Sequence, residues 1–158
     1  MFERALAPGF ARTCSVEEVV DVLGSVPCEY LLGLSGVYLM AGTSKQQRLR
    51  KLTFGLYYRE RIFLFPVPLD RLSQGWPCSS NPSDVKRYTK FGARVSSSRG
   101  GRSTVTLDEI GLQRFYLYDV LLHELGHHVD RLRRTGDPER YARWFAEFQQ
   151  SQLTHPAE

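Results

Sequence analysis

Leu122-His123-Glu124-Leu125-Gly126-His127-His128 is the stretch on which the reading of this chain turns. It falls where Leu112, Phe115, Tyr116, Val120 and Leu121 recur with a helical period, so the spacing predicts a helix running to about Arg134. At about 100° per residue, His123 and His127 project roughly 40° apart and one turn along, so both imidazoles can reach one ion. Glu124 stands beside them, where a carboxylate can take a proton from metal-bound water. With this chain's His and Glu content, a His-Glu-x-x-His pattern arises by chance with a probability on the order of half a percent. Gly126 gives up about 1 kcal/mol of helix stability relative to Ala. That makes sense where another backbone or a substrate must come close.

Thr135-Gly136-Asp137-Pro138 combines a stop and a restart. Gly136 can cap the first helix, Asp137 can N-cap the next, and Pro138 suits its first position. A last helix to about Gln152 then carries Tyr141, Trp144, Phe145 and Phe148 on one face, completing a helical hairpin. Near the start, Ser15-Val16-Glu17-Glu18 reads as a capping box opening a helix over 16–24, and Pro27 to Leu32 suggests a further helical turn. Apolar runs at 37–41, 52–58 and 61–66 read as strands. The last two form a hairpin across Tyr58-Arg59-Glu60-Arg61, although no Asn-Gly pair marks the turn. Pro66 and Pro68 assign the third strand to a sheet edge. Residues 69–103 read as irregular, with Ser96 to Ser103 as a mobile loop.

The expected fold class is therefore α+β: a small N-terminal sheet, a long helix carrying the His pair, and a C-terminal helical hairpin. With 158 residues and 42% hydrophobic content, the chain reads as one domain over 1–158 with one core. The net charge of +4 is mild and, apart from Arg131, Arg133 and Arg134, scattered. This argues for a solvated basic face and against a nucleic-acid partner. Cys14, Cys28 and Cys78 form neither a disulfide framework nor a zinc ribbon, which favours a reducing, cytoplasmic setting. The N-terminal stretch lacks the apolar run of a leader, and Tyr30 to Ser44 is short for a membrane span.

Tyr118-Asp119-Val120-Leu121-Leu122-His123-Glu124-Leu125-Gly126-His127 resembles the active-site helix of the zincin metallopeptidases. The resemblance covers roughly 35 residues, to the end of the hairpin; upstream it extends only to the order of strands before helix. It implies a zincin-like fold, Zn²⁺ held by His123 and His127, and Glu124 as general base in hydrolysing a peptide or protein substrate. The metzincin extension would require Gly at position 130 and His at 133, where this chain has Asp130 and Arg133. A gluzincin-like site takes its third ligand from the following helix, which offers Glu139 and Glu147.

In an antiparallel hairpin turning near residue 136, position 147 lies level with a metal near residue 125. Glu139 falls on the order of 10 Å away along the axis. This favours Glu147, and the nineteen residues between His127 and Glu147 match the spacing of thermolysin-like gluzincins. Glu139 is the alternative third ligand, because Glu139-x-x-Ala142 resembles the Glu-x-x-small pattern of several gluzincin ligand helices. Asp130 is expected to support the ligands from behind or to pair with Arg134. His128 points away from the ligand face. Tyr141 and His155 are candidates for stabilising an oxyanion, with packing as the competing role of Tyr141. Arg61-Ile62-Phe63-Leu64-Phe65-Pro66 is the candidate edge strand for pairing with an extended substrate. The alternative to an enzyme is a non-catalytic zinc-binding domain with a regulatory or partner-binding role.

Overall fold

The computed structural model describes residues 1–49, 51–98 and 102–154. It is a mixed α+β fold with nine short strands in three small sheets and seven α-helices among the described residues. The N-terminal half holds β1 (Phe2–Glu3), β2 (Phe10–Ala11), α1 (Val16–Gly24), β3 (Gly36–Leu39) and α2 (Ser44–Arg48). The hairpin β4 (Gly55–Tyr58) and β5 (Arg61–Leu64) follows, then β6 (Val67–Pro68). At α1 the expected capping box is present: Glu18 N–H donates to Ser15 Oγ (3.2 Å) and Ser15 N–H to Glu18 Oε2 (2.8 Å). Cys28–Leu31 forms a single 3₁₀ turn.

The principal sheet has the order β1-β3-β5-β4, parallel except for the β4–β5 pair. Arg61–Leu64 is consequently an interior strand, and β4 is the edge. The expectation that Pro66 and Pro68 mark an edge fails because both lie beyond the last β5 residue and interrupt no ladder hydrogen bond. Tyr58 and Arg61 pair across a two-residue turn whose central residues, Arg59 (φ 47°) and Glu60 (φ 63°), both occupy the left-handed region. The turn has the geometry that Asn-Gly usually supplies, with two non-glycine residues in its place.

Residues 69–103 also depart from expectation, being largely regular. They contain α3 (Leu69–Gln74), β7 (Trp76–Ser79), α4 (Pro82–Thr89), β8 (Arg94–Ser98) and the start of β9 (Arg102–Thr106). The prolines that read as loop punctuation have positional roles instead. Pro82 opens α4 behind the Asn81 cap, and Pro77 sits on the edge strand of the β7-β9-β8 sheet. Ser96 to Ser98 and Arg102 to Ser103 belong to strands; 99–101 lie outside the described residues.

Asp108 caps α5 (Glu109–Phe115), which runs through a π-helical turn, Tyr116–Val120, into α6 (Leu121–Arg133). The left-handed residue ending α6 is Arg134 (φ 50°), not Gly136, which supplies a second positive φ (88°) further into the turn. Asp137 then caps α7 (Pro138–Thr154), accepting from Arg140 N–H at 3.1 Å. The buried stripe of α7 is Ala142, Phe145, Ala146 and Gln149, while Trp144 and Phe148 stack on each other half exposed, so the expected aromatic face is split. None of the described helices is long and apolar enough to cross a membrane.

The α6–α7 seam is close. A Cβ added at Gly126 would stand 2.7 Å from Ala142 Cα and 3.1 Å from its carbonyl oxygen, so the two backbones touch there. Gly126→Ala should therefore lower stability by about 1–2 kcal/mol, the overpacking cost exceeding the gain in helix propensity. Gly24→Ala, at a helical position with nothing within 4 Å of the new methyl, should be neutral or stabilising. Urea unfolding of the two variants checks the contrast, and equal stabilisation by both would contradict the contact.

Candidate metal centre

His123 and His127 lie one turn apart on α6, with ring centroids 4.8 Å apart and their Nε2 atoms at 3.1 Å. Glu139, the second residue of α7, faces both: Oε2 is 3.4 Å from His123 Nε2, and Oε1 is 3.3 Å from His127 Nε2. These three form the one His/Cys/Asp/Glu group among the described residues with metal-holding geometry. Glu147, which axial symmetry about residue 136 favours, is not brought to the imidazoles. The contact of Gly126 with Ala142 centres the hairpin on residue 134 and shifts the register. Glu139 comes about one turn closer to the His face, and Glu147 moves about one turn past it. Glu147 instead borders a neighbouring cavity with His123, Gln150 and Ser151.

The residues present fit a zinc ion. Zn–N and Zn–O bonds of about 2.0–2.2 Å in a tetrahedron place ligand atoms roughly 3.3–3.6 Å apart. One donor atom from each of the three residues lies within 4.8 Å of the others, a spacing that small side-chain rotations can close on one ion. The donor set is chemically suitable too. Burial, then the neighbouring His127 and Arg87 charges, holds His123 down at about 4, so near neutrality its imidazole is the uncharged, metal-binding form. Glu139 is largely solvent-exposed and presents both carboxylate oxygens to the imidazoles.

Glu124 is 8% exposed, and burial pushes its carboxyl up to about 7 against the pull of the Tyr57 backbone N–H. Edge strand β4 is what buries it. A Cβ at Gly55 would fall 2.8 Å from Glu124 Cγ and 2.7 Å from Val120 Cγ1, so the strand can lie here only with glycine at 55. Neither Gly55 nor Tyr57 was singled out by the sequence reading. A glycine inside an apolar run was the available signal, since in a strand it marks close backbone approach.

His128 is buried and linked to that strand. Its Nε2 lies 3.0 Å from the Leu32 carbonyl, which can only accept, so Nε2 carries the proton. Nδ1 then accepts from the Tyr57 hydroxyl at 3.2 Å. Asp130 is also buried, and its Oδ1 accepts from Thr135 N–H (3.1 Å) and Thr135 Oγ1 (2.5 Å). It ties down the turn that delivers Glu139. Tyr141 packs on Trp144 and Phe145 rather than on the imidazoles. His155 lies outside the described residues. Cys14 is buried in another part of the fold, its thiol pushed up to about 11 by burial.

An ion triad centred on buried Asp119 adjoins the cluster and was invisible in the sequence. Asp119 accepts from Arg87 Nε (2.6 Å) and Nη2 (2.5 Å), with Lys90 Nζ at 3.3 Å. Arg87 lies in α4 and Lys90 is its C-cap, in a segment read as irregular.

Because the folded-state pKa of Glu124 is raised above its ordinary 4.5, folded metal-free protein is penalised as pH rises from 4.5 to 7. Above pH 7 the penalty is constant, on the order of 3 kcal/mol. In chelator-treated protein, Glu124→Gln should thus be more stable than wild type at pH 8 and nearly equal to it at pH 4. Urea unfolding at both pH values reads this, and a pH-independent gap would contradict it. No family model matches the chain, and neither a curated protein nor a solved structure matches it significantly.

Proposed function

We propose that the protein is a zinc-dependent peptidase of zincin type, in which His123, His127 and Glu139 hold the metal and Glu124 is the general base. The observation that carries this reading is the convergence of His123, His127 and Glu139, one donor atom each within 4.8 Å of the others, beside a buried carboxyl with a pKa of about 7. Zinc, when bound, supplies Lewis acidity, lowering the pKa of its water and polarising the scissile carbonyl. Glu124, matched to neutral pH, accepts the proton at its carboxylate and passes it to the leaving amine. A structural site would be closed by a fourth protein donor, and among the described residues the cluster provides three.

Substrate would lie in the groove of about 460 Å³ between β4 and α6. Its walls are Gly55, Leu56 and Tyr57 on one side and His123, Glu124 and His127 on the other. In the β4–β5 register, Tyr58–Arg61 closes the hairpin, so Gly55 and Tyr57 turn their backbone groups outward; the Tyr57 N–H meets Glu124, which leaves the Gly55 groups and the Tyr57 carbonyl on that edge. An extended peptide can add to that edge as a further strand, with β4 in the place that the sequence assigned to residues 61–66.

Elemental analysis should find one zinc per chain. Glu124→Gln should keep it and lower chelator-sensitive cleavage of a mixed peptide library at least about a hundredfold. Glu139→Ala should weaken zinc binding by more than about a hundredfold, beyond the usual effect of losing an outer-sphere partner, while Glu147→Ala leaves it intact. Zinc retention with no cleavage by wild type would favour the regulatory, non-catalytic alternative. Absence of zinc would remove both.

A further inference from the structure

A cavity of about 590 Å³ opens directly beside the metal cluster and shares His123 and Glu139 with it as walls. That volume lies within the range of small-ligand pockets. Its floor is the Asp119 triad. One carboxylate faces two cations there, so the triad is locally net positive although the cavity wall as a whole, with Lys86 and Arg143 against Asp84, Glu139 and Glu147, balances in charge. Asp119 engages the Nε and Nη2 edge of Arg87, and the rings of Phe115 (5.3 Å) and Tyr88 (5.9 Å) hold the guanidinium plane. The remaining Nη1 donors of Arg87 have no carboxylate partner among the ion pairs of the described residues. Across the cavity stands Arg143, one turn beyond Glu139 on α7, exposed and absent from every ion pair of the described residues. The carboxylates Asp84 and Glu147 border the same cavity. They disfavour an acidic ligand in general and leave selectivity to a single carboxylate that reaches between the two guanidinium groups.

We propose that this cavity is a carboxylate-recognising subsite, in which Arg87, oriented by Asp119, and Arg143 bind one carboxylate of a peptide whose scissile bond lies at the metal. The inference rests on the peptidase reading and names its substrate class: peptides with an acidic side chain, or a free C-terminus, adjacent to the cleaved bond. Guanidinium forks match carboxylates in both geometry and charge. Arg87 and Arg143 act on specificity; the cleavage machinery is the cluster and Glu124.

The test is binding by the zinc-loaded Glu124→Gln protein, so that hydrolysis is not the readout. The probes are dansylated hexa-alanine peptides carrying glutamate or glutamine at one position in turn, each with a free or amidated C-terminus. At one position, glutamate should bind about tenfold tighter than glutamine, or the free acid than the amide. Which of the two contrasts appears identifies the source of the carboxylate. The preference should vanish in Arg143→Gln, an exposed substitution that leaves the fold alone, with affinity for the neutral peptide unchanged. Arg87→Gln should do the same where it folds. Equal binding of all probes, or a preference that survives Arg143→Gln, overturns the subsite. Cleavage by wild type without carboxylate preference leaves the peptidase reading standing alone. Carboxylate-selective binding without cleavage keeps the subsite and removes the peptidase.

Discussion

The approach of α7 to α6 at Gly126 and Ala142 is the constraint on which the site depends. No side chain larger than hydrogen fits at 126 without moving the Ala142 backbone. A glycine inside a helix costs about 1 kcal/mol in propensity, so its place here makes sense only through the contact it permits. That contact sets which turn of α7 faces the imidazoles, and so determines that Glu139 rather than Glu147 stands 3.3–3.4 Å from them. Ala146 and Phe145 continue the buried seam, fixing the helix pair along its length. Asp130, bonded to Thr135, fixes the connecting turn.

Burial then acts on the two kinds of titratable group in opposite senses. Removing water disfavours whichever form is charged. The same environment therefore makes Glu124 a weaker acid, at about 7, and His123 a weaker base, at about 4. Near neutral pH the histidine presents a lone pair and Glu124 is poised between its two states. Glu139 remains at the solvent boundary. Two imidazoles and one exposed carboxylate together form a donor set that could hold a divalent cation without a preformed buried charge.

The parts legible in the sequence were those fixed by local chemistry. Ser15 and Glu18 close a capping box within one turn, Asp137-Pro138 starts a helix, and the His123/His127 pair needs only the helical repeat. The strands expected at 37–41, 52–58 and 61–66 are present over shorter spans, yet their order in the sheet was not legible. Sheet order is a tertiary property, and Pro66 signals where a strand ends without saying who its neighbours are. Which glutamate of α7 faces the imidazoles was not legible for a related reason. Symmetry about the turn assumes equal approach along both helices, and small residues set the actual register. Both halves of that signal, Gly126 and the Ala of Glu139-x-x-Ala142, were in view without being joined. Residues 69–103 read as irregular because Pro and Ser there act as helix starts and edge-strand residues.

The Asp119 triad completes the clamp around α6. The helix is fixed to α7 through Gly126, to β4 through His128 and Tyr57, and to α4 through the π-helical turn that carries Asp119. A π turn inserts a residue into the helical repeat, so residues before it present a face rotated relative to those after it. Asp119 lies in that turn, four residues ahead of His123, with Arg87 and Lys90 closing over it. Burying these charges is weak evidence of net stabilisation, since desolvation offsets much of the Coulomb gain. Their effect is directional. A helix held only by Leu121, Leu122 and Leu125 could settle at several rotations, because apolar contacts set little angular preference. An anion that must meet two cations from one neighbouring helix allows far fewer, and so fixes where His123 points.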